Sequence, residues 1–147
     1  MTLRALNLTL YTDMKFLTKR EAAAYSPLAL AFLGDSVYDT LVREYLLKKS
    51  NMPVGRLHAE KIKFVCAEFQ SAVYSLIEDK LTEQEHGVLK RGRNATGNTV
   101  PKHADTADYR RATAVECLFG YLYLTGDSDR IRELFCIIKD NINQGGE

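Results

Sequence analysis

From Pro27 to about Lys49 the chain offers no polar face wide enough to lie against water. Leu30, Ala31, Phe32, Leu33, Val37, Tyr38, Leu41 and Val42 fall on nearly every side of a helical projection. A helix that is apolar all round is normally a buried one; it needs more cover than one small domain readily provides, and pairing of subunits is the natural source. Its ends are also written in the sequence. Ser26 and Pro27 suit the N-cap and the first helical position, and Asn51-Met52-Pro53 ends the helical run.

The remaining segments are helical in period and almost free of strand patterns. Thr18-Lys19-Arg20-Glu21 and Thr82-Glu83-Gln84-Glu85 have the spacing of capping boxes. The first predicts a short helix through Tyr25, the second a helix to about Arg91. Residues from about Val54 to Glu78 read as helix, in one or two pieces. Gly92, Asn94, Gly97, Asn98 and Pro101 predict a loop from Gly92 to about Thr106. A helix then runs to Leu124, with Gly126 suited to its C-terminal cap. A last helix capped by Ser128 reaches about Ile142, and Gln144 to Glu147 fray. The expected fold class is all-α, with about six to eight helices. The 147 residues fit one domain, 1–147, with residues 1–17 as an irregular N-terminal extension.

Composition removes several classes of function. With 46% hydrophobic residues the chain is not a disordered one, and no apolar run is long enough to span a membrane. No signal peptide is read in the first residues, and the cytoplasm is the expected compartment. Cys66, Cys117 and Cys136 are widely spaced and form no metal-binding or disulfide pattern. Cys117 and Cys136 read as core, as do Tyr121 and Tyr123. No H-x-x-x-H motif and no glycine-rich phosphate loop are present. The net charge is only +1, but it is uneven. Lys90, Arg91, Arg93, Lys102, Arg110 and Arg111 stand against Asp105 and Asp108 in one short segment, which is therefore +4 on a body that is −3. Such a patch is either a solvated loop or the footprint of a phosphate-binding face.

Two acids stand where acids are costly. Asp35 lies within the apolar helix, with Asp39 one turn later, and Glu116 is the only charged residue between Ala112 and Leu124. Buried carboxylates are paired with a cation such as Arg43 or Arg110, protonated, or bound to a metal ion. Hard oxygen ligands suit Mg²⁺. Such an ion beside a basic patch is the equipment for hydrolysing a phosphodiester, because it polarises the phosphoryl oxygen and acidifies a bound water.

The stretch Leu28 to Val37, containing Phe32-Leu33-Gly34-Asp35, resembles the signature helix of the ribonuclease III family. Ala114-Val115-Glu116-Cys117-Leu118-Phe119-Gly120 is similar to that family's second acidic helix. Leu89-Lys90-Arg91-Gly92-Arg93-Asn94-Ala95, then Pro101-Lys102 and Tyr109-Arg110, resemble the hallmark of its small dimeric branch, which lacks a separate double-stranded-RNA-binding domain. The resemblance implies an all-α homodimer and Mg²⁺-dependent hydrolysis of double-stranded RNA to 5′-phosphate and 3′-hydroxyl ends. The implied substrate is the precursor of large-subunit (23S) ribosomal RNA, including precursor already carrying ribosomal protein. Asp35 and Glu116 are its implied catalytic and metal-binding acids, and Lys90, Arg91, Arg93, Asn94, Lys102 and Arg110 its implied RNA contacts. Where full-length members carry two further carboxylates, this chain has Ala31 and Thr113. The alternative is a catalytically silent double-stranded-RNA-binding module on the same fold, for which those missing acids speak.

Overall fold

The computed structural model describes residues 15–96 and 99–142. The expected N-terminal extension (as far as residue 14), Gly97 and Asn98 of the loop, and the frayed tail lie outside the described residues. Within them there are seven α-helices and no strand: α1 (Lys19–Ala23), α2 (Pro27–Lys49), α3 (Val54–Val65), α4 (Ala67–Ile77), α5 (Glu83–Asn94), α6 (Thr106–Leu124) and α7 (Ser128–Ile142). A 3₁₀ turn, Glu78–Lys80, follows α4. None of these helices is long and apolar enough to cross a membrane.

The centre of the fold is the crossing of α2 with α6, the two helices whose apolar residues run all round. They approach as closely as backbones can. A Cβ on Gly34 would overlap the carbonyl oxygen of Glu116, and a Cβ on Gly120 would overlap that of Leu30. Around this crossing Leu30, Tyr38, Val42, Leu118, Phe119, Leu122, Leu134 and Ile138 form the core. Tyr38 meets Phe119 edge to face at 5.7 Å, and its hydroxyl donates to the Phe64 carbonyl at 2.7 Å, tying α2 to the end of α3.

Both capping boxes form. Thr18 Oγ1 accepts from Glu21 N–H at 3.1 Å, and Thr82 Oγ1 accepts from Glu85 N–H at 3.2 Å. The second one does more than start a helix. Glu85 accepts the Thr82 N–H at 2.9 Å and two bonds from Arg130, each at 2.9 Å, so it also fastens α5 to α7. Burial works to raise the Glu85 pKa, but the hydrogen bonds and charge of Arg130, with the Thr82 bonds, outweigh it and leave the carboxyl below its ordinary range. Thr82→Ala removes one side of this box and is expected to cost about 1 kcal/mol, read as a lower urea midpoint with unchanged slope.

The sequence-based boundaries change in three places, and two burial readings change with them. The short first helix ends at Ala23, before Tyr25. Gly92, Arg93 and Asn94 are helical, not loop. A side chain at 92 would press on Ala114 and Cys117 of α6, so glycine is retained there for close packing and not as a breaker. The α7 N-cap is Asp127, whose Oδ1 accepts from Arg130 N–H at 3.3 Å, and Ser128 is the first helical residue. Cys136 and Tyr123 are exposed, while Cys117 and Tyr121 are buried as expected. α6 ends as foreseen: Gly126 takes φ 72°, a left-handed conformation natural to glycine, and Asp127 N–H reaches back to the Leu122 carbonyl at 2.9 Å.

Candidate active site

Because Gly34 and Gly120 let α2 and α6 touch, the residues beside them are brought to one place. Asp35 follows Gly34, and Glu116 is the residue whose carbonyl Gly34 meets. Both line a cleft of about 530 Å³, walled by Leu28, Ala31, Phe32, Val65 and Ala112 and roofed by Pro101, Ala104 and Tyr109 from the loop and the start of α6. The two acids are not equivalent. Glu116 is partly buried, whereas Asp35 stands exposed at the rim. This corrects the expectation that Asp35 is enclosed by an apolar helix. α6 covers one side of α2, but among the described residues nothing covers the side bearing Phe32, Asp35 and Ser36. Phe32 is accordingly 85% exposed.

Pairing with a cationic side chain does not account for these acids. Among the described residues neither Asp35 nor Glu116 enters an ion pair. Arg43 is committed to Asp39 at 2.7 Å, and Lys61 approaches Asp39 at 3.4 Å. Burial, and then the neighbouring charge of Asp35, push the Glu116 carboxyl up to about 8. Without a compensating charge, the ionised form of Glu116 is therefore disfavoured at neutral pH. Two other acids of these helices are occupied elsewhere: Asp39 in its ion pairs, and Asp105 as the N-cap of α6, accepting from Asp108 N–H at 2.9 Å. No third histidine, cysteine or carboxylate joins the pair among the described residues. Ala31 and Thr113 both line the cleft, but the Thr113 hydroxyl is turned to the Tyr109 carbonyl at 3.0 Å. Two carboxylates without a counter-charge fit a hydrated divalent cation, which keeps several of its waters.

The basic residues divide into three groups. Arg110 lines a small recess of about 100 Å³ shared with Leu28, Tyr109 and Thr113, so it adjoins the acid cleft. Lys102 is exposed next to Pro101 of the cleft roof. Lys90, Arg91 and Asn94 face away, into a groove of about 610 Å³ shared with Lys19, Arg20 and Tyr121. Arg91 also donates to the Ala23 carbonyl at 2.8 Å, holding α1 to α5. Arg93 joins neither group: it donates to the Tyr74 hydroxyl at 3.0 Å and to Asn94 Oδ1 at 3.4 Å. Two cleft residues went unread in the sequence, Tyr109 as a cleft residue and Gln70. The signal for Gln70 was available, since it is an amide on the helical stripe of Val73, Tyr74 and Ile77, the apolar side of its helix.

Paired carboxylates beside cationic side chains in one cleft are parts suited to acting on a phosphodiester. The Ribonuclease III domain pattern matches residues 28–127. A Mini-ribonuclease 3 of Thermoanaerobacter sp. is 42% identical over 83% of this chain and 86% of its own. One of Symbiobacterium thermophilum is 44% identical over 81% and 92%. A crystal structure of a protein from Fusobacterium nucleatum superposes with a TM-score of 0.72 at 31% identity, covering 78% of this chain and 93% of that one. The chain belongs to the ribonuclease III family, in its small Mini-ribonuclease III branch. It is an endoribonuclease for double-stranded RNA, leaving 5′-phosphate and 3′-hydroxyl ends.

Proposed function

We propose that this endoribonuclease works with Mg²⁺ held by Asp35 and Glu116, and that it trims a base-paired stem in the precursor of 23S ribosomal RNA in the cytoplasm. The supporting observation is the uncompensated carboxylate pair in a cleft that raises Glu116 above neutrality. When bound, Mg²⁺ supplies Lewis-acid polarisation of the phosphoryl oxygen and a more acidic water. Asp35, at the solvent rim, is the side chain a phosphate reaches first. Glu116, deeper in, orients what lies between the two and surrenders its proton as the cleft fills. Arg110 and Lys102 neutralise phosphates flanking the cut, and Lys90 and Arg91 take phosphates farther along the duplex, with Asn94 beside them. Arg93 positions Tyr74 and α5. A homodimer is part of the reading: Phe32 is exposed at the cleft mouth, and α3 contributes no buried residue within one copy. A second copy seated on this face would cover both.

Incubating the protein with a long RNA duplex, with Mg²⁺ and with EDTA, tests the metal requirement. A precursor stem cut no faster than a random duplex would remove the ribosomal substrate from the reading. The basic groups are separable by salt. Losing one phosphate contact lowers the slope of log affinity against log salt by about 0.9 on the B-DNA scale. Lys90→Ala and Lys102→Ala are each expected to do so, while Arg93→Ala leaves the slope unchanged and lowers stability instead. Wild-type slopes in all three variants would return the patch to a solvated surface.

A further inference from the structure

Gln70 is the one amide side chain lining the acid cleft among the described residues. It projects from α4, opposite the α2–α6 crossing, and only 2% of its surface is exposed. Its helix neighbours Ser71, Val73 and Tyr74 are equally buried. Among the described residues the Gln70 amide makes no hydrogen bond, yet no side-chain nitrogen or oxygen is both sealed from solvent and unpaired. Its small remaining exposure therefore includes the amide, and the cleft is the space it opens to. A primary amide held at this depth without a protein partner is costly unless something in the cleft bonds to it. A methionine or leucine would fill the same volume at no such cost.

The chemistry of the surrounding walls narrows what that something is. Ala31 offers no polar atom, and the Thr113 hydroxyl donates to its own helix. A hydrated divalent cation held by two carboxylates keeps about four of its six ligand positions for water or substrate, and those waters need acceptors. An amide oxygen accepts from them without adding negative charge to a pair that already repels. We propose that Gln70 is a positioning residue that hydrogen-bonds the water shell of the divalent cation between Asp35 and Glu116. This rests on the reading that those two acids hold the cation.

The test is a Mn²⁺ titration followed by electron paramagnetic resonance on the RNA-free protein. The Mg²⁺ dependence of duplex cleavage is measured alongside. Gln70→Met keeps the volume and removes the amide. It is expected to weaken Mn²⁺ binding about tenfold, in the range found when partners of metal ligands are removed, and to raise the half-saturating Mg²⁺ by a similar factor. The rate at saturating Mg²⁺ stays within about threefold, because the two carboxylates remain. Gln70→Glu keeps the shape, brings a third charge, and is expected to tighten Mn²⁺ binding. It serves as the deciding variant should Gln70→Met not fold. Wild-type Mn²⁺ affinity in both variants would overturn the proposal and leave Gln70 as packing. Asp35→Asn separates the two layers. If it leaves Mn²⁺ affinity unchanged, the cation reading of the acid pair fails, and this inference with it. If it abolishes binding while Gln70→Met has no effect, only the inference on Gln70 falls.

Discussion

Glu116→Gln is expected to reduce cleavage about a thousandfold or more and, in the absence of metal, to make the protein more stable. The two effects share one cause. Gln keeps the shape of Glu but cannot carry the charge that a cation requires. Metal-assisted stabilisation of developing charge is worth several kcal/mol, and about 4 kcal/mol corresponds to a thousandfold in rate. The same missing charge relieves the fold. In wild type the Glu116 carboxyl titrates near 8 because burial and Asp35 disfavour its ionised form. The folded state thus holds this proton more tightly than the unfolded chain. Its contribution to stability is complete below the ordinary Glu range and is lost as pH rises to about 8.

At pH 4 the variant and wild type should therefore unfold alike. By pH 9 in EDTA the variant should lead by about 2–4 kcal/mol, from a factor of 1.36 kcal/mol per pH unit reduced for partial exposure. Urea midpoints across that range, at one protein concentration, measure it. Parallel pH profiles would show that Glu116 is not destabilised in the fold. Glu85 provides the opposite sign within the same molecule. Its carboxyl is depressed, so its contribution is present above the ordinary Glu range and lost as pH falls. One buried glutamate has Arg130 and the other has no cationic partner among the described residues, and that difference separates a structural acid from a candidate metal ligand.

Gly34→Ala and Gly120→Ala are each expected to destabilise the protein by about 3 kcal/mol or more, the upper end of overpacking costs. The added methyl would meet backbone carbonyl oxygens of the facing helix, Glu116 and Leu30 respectively, and not the end of a side chain that can rotate away. The helices must separate, and the acids on them move with the crossing. Cleavage should fall together with stability, and the double variant should cost less than the two singles combined, since one separation relieves both overlaps. The same substitution elsewhere has the opposite sign. A Cβ at Gly55 or Gly87 meets nothing within 4 Å, so Gly→Ala there should gain about 0.5–1 kcal/mol from helix propensity. Chemical unfolding of the four single variants gives the comparison. Mild effects at Gly34 and Gly120 would mean that the crossing has room to adjust.

Helix positions were legible in the sequence because their determinants are local. Capping boxes at Thr18 and Thr82, Pro27 at a helix start and Gly126 at a helix end act within a few residues of themselves. The acids were legible as anomalies, since a charge within an apolar helix needs a partner wherever that helix packs. Their partner was not legible. Arg43 was as good a candidate in sequence as a metal ion, and only the structure shows Arg43 bound to Asp39, one turn farther along α2. Gly92 was misread for a related reason: a glycine that loosens a helix and a glycine that admits a neighbouring helix look the same in one dimension.

The sequence by itself therefore determined the all-α class, the helices and the two acids, together with the motifs that place the chain in its family. Those properties depend on side-chain period, capping chemistry and the cost of burying charge. Tertiary structure decided which of the six cationic and amide candidates adjoin the acids, that Asp35 sits at the rim while Glu116 lies within, and that Gln70 shares their cleft. Each of these depends on how closely α2, α4, α5 and α6 approach one another, which is set by contacts between residues far apart in the chain.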